Sequence, residues 1–270
     1  MAITTMNGVA SALGTGPQPK IFFPSATNVA AGFINLNQAV TGGHGLMAAP
    51  TAFGSGGTTY NQSTVSTGFN EWTAVGGTSA YLGRVAIAGP TAGTIFIYDL
   101  MWACSGFVGN VATAQAVVGF SGMPARNTTG ANCELWIGCS SAIGATGHNV
   151  TASYTNQAGT PGRTTVSTAG IPSMPANRMY QLPLQSGDTG IQNLASITLS
   201  ISSGTAGNLW ALIMRQVSVV PIPVPNVAQL LDFTATGMPL IYDESCLLFV
   251  NQGSTTSSGL LGGQMTILQG

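Results

Sequence analysis

From Ser79 onward, apolar residues come in short runs broken by clusters of Gly, Pro, Asn, Ser and Thr. Leu194, Ile197, Leu199 and Ile201 are interleaved with Ser and Thr. Such near-alternation puts one face of a strand into a core and the other against polar surroundings. Many short strands joined by turns bury their apolar faces as packed or closed antiparallel sheets. The expectation is therefore a mostly β chain: an antiparallel β-sandwich, jelly-roll-like, with an irregular N-terminal arm and a short helix near the C-terminus.

Individual segments follow from the same pattern. Tyr81–Ala88, the turn Gly89-Pro-Thr-Ala-Gly93 and Thr94–Trp102 read as a hairpin. Leu194–Ser202, the turn Ser203-Gly-Thr-Ala-Gly207 and Leu209–Val217 read as a second, with Thr-Ala-Gly shared between the two turns. Between them, Cys133–Ile137 and Val150–Tyr154 read as strands, Asn156–Gly162 as a turn and Thr164–Thr168 as the strand leaving it. Pro221-Ile-Pro-Val-Pro225 lacks alternate backbone donors and reads as an extended spacer. A helix is expected over Asn226–Phe233, with Val227, Leu230 and Leu231 on one face and Pro225 at its start. Tyr242–Val250 and Leu260–Leu268 are the last apolar stretches, separated by the polar loop Ser254–Ser258. Before Ser79 the only helical candidate is Thr5–Leu13, and Phe22–Leu36 is apolar enough to dock on something. The organisation expected is an arm over 1–77, a sandwich core over 78–220, and a segment 221–270 that completes the core.

Charge decides what such a sandwich presents outward. Only six Lys or Arg and seven Asp or Glu occur in 270 residues, against about a quarter charged residues in an average domain. Hydrophobic residues make up 44%, enough for a core, so disorder is not expected. Gly, Ser, Thr, Asn and Gln take the place of charges, and a net charge of −1 provides little repulsion between copies. The six cations, Lys20, Arg84, Arg126, Arg163, Arg178 and Arg215, stand singly, without the basic patch that nucleic acid requires. Met1–Gly16 lacks a basic and apolar leader, so no secretory signal is read there. The uncharged stretch Leu100–Ala125 is too interrupted by Ser, Gly, Asn and Gln to be a membrane span.

Catalytic material is scarce. His44 and His148 sit among glycine and turn residues, with no nucleophile pattern beside them. Glu71, Asp99, Glu134, Asp188 and Asp232 stand alone, and Asp243-Glu244, as strand neighbours, would point to opposite faces. Asp99 and Glu134 have apolar flanks and are expected to pair with Arg84, Arg126 or Arg215 in the core. Trp72, Trp102, Trp136 and Trp210 are read as core rather than as a sugar platform. Cys104, Cys133, Cys139 and Cys246 lack metal-ligand spacing and are read as buried thiols, a disulfide after release from the cell being the alternative. The sequon matches at Asn61, Asn127 and Asn149 are chance matches in a Ser/Thr-rich chain. No catalytic, cofactor-binding or metal-binding residue is nominated.

Five blocks carry a resemblance: Tyr98-Asp-Leu-Met-Trp102, Met123-Pro-Ala-Arg126, Ser153–Arg163, Leu184–Gly190 and Gly237–Leu247. They resemble blocks of a family of tailed-bacteriophage virion structural proteins. The resemblance runs from about Ser79 to the C-terminus, and the arm departs from it. It implies a virion component assembled in the host bacterial cytoplasm, a head decoration or minor capsid protein that stabilises the head by binding the major capsid protein. A tail, neck or fibre component, with host-receptor binding, is the alternative. It also implies a homo-oligomer, a trimer by preference, with partners among itself and other virion proteins; the scattered cations and interrupted uncharged stretch already speak against nucleic acid and membrane as partners. An enzyme such as a glycan hydrolase ranks last.

Overall fold

The computed structural model describes residues 3, 5–15, 18–22, 25–28, 33–35, 57–61, 79–171, 174, 176, 178–242 and 244–270. In chain order these hold helix α1 (Met6–Thr15) and strands β1 (Gln18–Phe22), β2 (Ser25–Asn28), β3 (Phe33–Asn35) and β4 (Thr58–Thr59). Next come β5 (Ala80–Ala88), β6 (Gly93–Phe107), β7 (Gln115–Ala116), β8 (Cys133–Ser141), β9 (His148–Asn156), β10 (Arg163–Thr164) and β11 (Thr168–Ile171). Then follow β12 (Arg178–Leu182), β13 (Ile191–Leu199), β14 (Asn208–Ile222) and β15 (Gln229–Leu231). Helix α2 (Phe233–Thr236) precedes β16 (Leu240–Ile241), β17 (Cys246–Gly253), β18 (Ser257–Leu260) and β19 (Gly262–Gln269). The chain is mostly β with antiparallel sheets, as a β-sandwich requires. No helix among the described residues is long and apolar enough to cross a membrane.

Two compact units emerge, each built from separated stretches. The first comprises Met1–Leu46, Val65–Tyr98 and Val217–Gly270, the second Met47–Thr64 and Asp99–Gln216. In the second unit, β8 lies between β14 and β12. Its register runs from Leu209 opposite Cys139 to Arg215 opposite Cys133, with Leu182 opposite Leu135 on the other side. A separate sheet has the order β10-β9-β13-β7, with β11 also on β9. β9 alternates strictly, burying His148, Val150, Ala152, Tyr154 and Asn156 while Asn149, Thr151, Ser153 and Thr155 stay half-exposed. Cys133, Leu135, Ile137 and Cys139 of β8 meet Val150, Ala152 and Tyr154 of β9 and Leu194, Ile197 and Leu199 of β13 in one core. That is face-to-face packing of two sheets.

The first unit repeats the principle. Its sheet has the order β1-β19-β5-β15, with β16 on β5. Leu82, Val85 and Ile87 of β5 and Met265 and Ile267 of β19 pack in one core with Ile95 and Ile97 of β6, Val220 and Ile222 of β14, and Leu247 and Phe249 of β17. The stretch expected as an irregular arm is woven in wherever it is described. β1 pairs with β19, β2 with β18 and β3 with β17, all antiparallel, and α1 seats Val9 and Ala12 with Leu268.

Both expected hairpins are corrected. β5 pairs with β19, β15 and β16 and not with β6, which lies in another sheet. β13 pairs with β9 and β7, whereas β14 pairs with β8. Each Thr-Ala-Gly turn therefore carries the chain from one layer across the core to the other. Ser203 fixes the second turn: its hydroxyl donates to the Thr205 carbonyl and accepts from the Gly144 amide.

The expected helix over Asn226–Phe233 is also corrected. Gln229–Leu231 is a strand on the edge of β5, with Leu230 opposite Ala86, and the helix begins where the other was to end. Asp232 caps it by accepting from the Thr234 and Ala235 amides, and Gly237 closes it at a φ of 66°. A side-chain cap followed by a left-handed glycine outweighs the weak apolar spacing upstream. Similarly, the expected Thr164–Thr168 strand is interrupted. Only Arg163–Thr164 pairs with β9, the ladder resumes at Thr168, and between them the Thr165 hydroxyl accepts from the Ala152 amide.

Candidate functional site

Ionisable groups are where chemistry would have to start, and most of those described are withdrawn from the surface. Among the described Lys, Arg, Asp and Glu side chains, only Arg84 and Asp232 are exposed. The others gather chiefly in two nodes, both within the second unit.

The first node is Asp99 on β6, its side chain 0% exposed, with Arg126 at 4%. Arg126 Nε donates to Asp99 Oδ2 at 3.2 Å, and Nη2 donates to Asp99 Oδ1 at 3.0 Å and to the Leu100 carbonyl at 2.8 Å. Nη1 donates to the Tyr60 carbonyl at 2.6 Å and to Asn61 Oδ1 at 2.7 Å. All five guanidinium N–H groups are thereby satisfied. Arg215 approaches Asp99 Oδ2 at 3.6 Å from β14. The core pairing expected for Asp99 is present with two of the three named arginines, and Arg84 is exposed on β5. Glu134 accepts from Trp136 Nε1 at 2.8 Å. Asp99, with its side chain fully enclosed, has no access to a substrate.

The second node centres on Asp188. Arg163 donates to it through Nε at 2.9 Å and Nη2 at 3.2 Å, Tyr154 through its hydroxyl at 2.6 Å and Asn156 through Nδ2 at 2.8 Å. The Gln185 amide donates to the Tyr154 hydroxyl at 2.8 Å. The Arg163 hydrogen bonds, then those of Tyr154 and Asn156, hold the Asp188 carboxyl down to about 2. Burial, together with the bond to Asp188, pushes the Tyr154 phenol up to about 12. A carboxylate held this firmly as an anion is a poor general base, and a phenol this weak is a poor acid near neutrality. Sequence reasoning treated Asp188 as solitary. Its partners lie in the Ser153–Arg163 block and it lies in the Leu184–Gly190 block, so the two quoted blocks meet here. Tyr98–Trp102 and Met123–Arg126 meet likewise through Asp99 and Arg126.

The remaining described candidates are buried or partly buried. His148 is buried at the start of β9 rather than in an open turn, its Nδ1 3.0 Å from the Thr146 carbonyl. His44, Glu71, Trp72 and Asp243 fall outside the described residues, and Glu244 is half-buried. Trp102, Trp136 and Trp210 are buried, and the Trp210 indole lies on Gly138, where a Cβ would sit 2.1 Å away. All four cysteines are buried thiols, and none forms a disulfide. Burial pushes the Cys133 and Cys139 thiols up to about 12 and raises Cys104 as well, which leaves them poor nucleophiles. The described residues contain no cluster of three or more His, Cys, Asp or Glu able to hold a metal ion. Asn127 turns its side chain inward to Ala131 and Cys133.

The outer faces are the remaining candidate. Val118, Val166 and Ile201 on the second unit and Met6, Leu13, Val224, Val227 and Leu230 on the first are exposed apolar side chains. An open cavity of about 340 Å³ lies along β5, β15 and β19, lined by Ala86, Ile87, Ala88, Ala228, Gly262, Gly263 and Gln264. It holds no titratable group.

No family model matches the chain, and no curated protein matches it. Among solved structures, the chain is similar at 9% identity to one described as infectious bursal disease virus Gx strain, covering 94% of this chain and 81% of that one at a TM-score of 0.21. A VP2 subviral particle of infectious bursal disease virus matches at 8% identity over 94% and 80% of the two chains, with a TM-score of 0.18. Likenesses at these scores carry no argument about the present chain.

Proposed function

We propose that the chain is a virion structural protein of the tailed-bacteriophage kind, a decoration or minor capsid protein that binds the major capsid protein at the head, and that it has no enzymatic activity. One observation carries the reading: among the described residues most ionised groups are drawn inward, largely into nodes that tie strands and turns together, so their outer faces are built mainly of hydroxyls, amides, glycine and scattered apolar side chains. A surface of that kind repels its own copies little and recognises a partner by shape and apolar contact rather than by charge. The resemblance of the Tyr98–Trp102, Met123–Arg126, Ser153–Arg163, Leu184–Gly190 and Gly237–Leu247 blocks to phage virion proteins supports the same reading, with assembly in the bacterial cytoplasm.

Labelling purified particles with an antibody against the chain, followed by electron microscopy, tests it. The expected result is label over the head. Label confined to the tail would replace the head role by a tail one, and a chain that stays in the lysate and never sediments with particles would overturn the proposal.

A further inference from the structure

The Gly57–Asn61 segment is held on the second unit by residues distant in sequence. Thr58 and Thr59 pair antiparallel with Ala103 and Trp102 at the outer edge of β6. The Tyr60 amide donates to the Met101 carbonyl at 3.0 Å, and the Tyr60 side chain is buried. Thr59 Oγ1 donates to the Gly122 carbonyl at 2.7 Å and lies 3.1 Å from Ser121 Oγ, which accepts from the Trp102 indole at 2.9 Å. Gly57, at a φ of 73°, lies so close to that indole that a Cβ would fall 2.2 Å from it.

The receiving side is set in advance. Asp99 and the Leu100 carbonyl fix Arg126 through Nε and Nη2, so Nη1 is aimed with both N–H groups at the incoming Tyr60 carbonyl and Asn61 Oδ1. A sheet edge, an indole, a hydroxyl and an oriented guanidinium together recognise a Gly-Thr-Thr-Tyr-Asn strand. Residues 62–78 join it to β5, and 17 residues extend at most to about 60 Å, so the connection does not by itself tie the segment to its own chain. Strand addition satisfies an edge equally well whichever copy supplies the strand, and lengthening a connection raises the entropy of closing it only slowly.

We propose that the cleft formed by Trp102, Ser121, Gly122 and Arg126 is a strand-receiving site that takes the Gly57–Asn61 segment of a second copy of this chain, linking subunits by strand exchange. The inference rests on the reading of the chain as an assembling virion component and names the contact by which its copies join.

Thr59→Cys and Ser121→Cys place thiols where two hydroxyl oxygens are 3.1 Å apart, and the four native thiols, buried, do not compete. Chains carrying one substitution each, co-expressed and oxidised, are expected to give a disulfide-linked dimer on a non-reducing gel. If the mixed chains stay monomeric while the double variant closes within itself, exchange is overturned. A photo-crosslinker at position 59 in assemblies of isotopically light and heavy chains reads the same contact without cysteines. Light–heavy pairs are expected, and products confined to one isotope would overturn the proposal. A chain that crosslinks between copies but is absent from particles sinks the virion reading alone. One that is present in particles but crosslinks only internally sinks exchange alone.

Discussion

At Asp188 and Asp99 the same residue type does two jobs, and each leads to a measurement. The Asp188 carboxyl titrates at about 2 when folded, against 3.8 for an ordinary aspartate. The unfolded chain therefore binds the extra proton first as pH falls. The stabilisation is complete above about pH 4 and is lost as pH falls through the folded value. Asp188→Asn should flatten the acid limb of Tm against pH between about 4 and 2; an unchanged limb would mean that the carboxylate contributes nothing there. Tyr154 runs the other way. Its folded value is raised, so its contribution is intact below 10 and fades as pH rises toward about 12, and Tyr154→Phe should remove that alkaline loss. Arg126→Met leaves Asp99 fully buried without its bidentate partner, and loss of a buried ion-pair partner costs about 3–5 kcal/mol, read as a lowered denaturant midpoint. Asp99 was legible in the sequence because its flanks are apolar, which demands a cation nearby. Asp188 was not, because nothing local indicates that Tyr154 and Arg163, in a different strand and turn, converge on it.

Among the elements, strands were easier to locate than to pair. The alternation in β9 and the apolar runs of β5, β6, β8 and β14 mark extended segments, since burial on one or both faces has to be written into side chains. Pairing is not written there. Gly89–Gly93 and Ser203–Gly207 have hairpin composition, yet glycine and proline specify only that the chain reverses, and a reversal serves equally to return along a sheet or to cross to the opposite layer. At α2 the deciding signal was a single cap. Asp232→Ala removes two hydrogen bonds to the Thr234 and Ala235 amides and should cost about 0.5–2 kcal/mol. The loss should be accompanied by faster amide exchange confined to 232–237; uniform exchange across the first unit would show that the helix is not held locally.

For the molecule as a whole, the distribution of charge predicts how it associates. Ion pairs buried within the subunit are screened little by salt, and few exposed ones exist to be screened. Assemblies should therefore keep their sedimentation coefficient from low salt to about 1 M, where the Debye length is roughly 3 Å; dissolution at moderate salt would contradict an apolar and hydrogen-bonded interface. The pairing of β1, β2 and β3 with β19, β18 and β17 has a further consequence for synthesis. Residues 99–216 emerge from the ribosome as nearly all of one unit and can close on themselves, whereas the other unit's central strand, β19, is made long after its neighbours β1 and β5. Non-local pairing of this kind is slow, and until β19 slots between β1 and β5 two strand edges stay open. Translation thus orders the two units in time: the one holding residues 99–216 can close while the other still lacks the strand that joins its early and middle stretches.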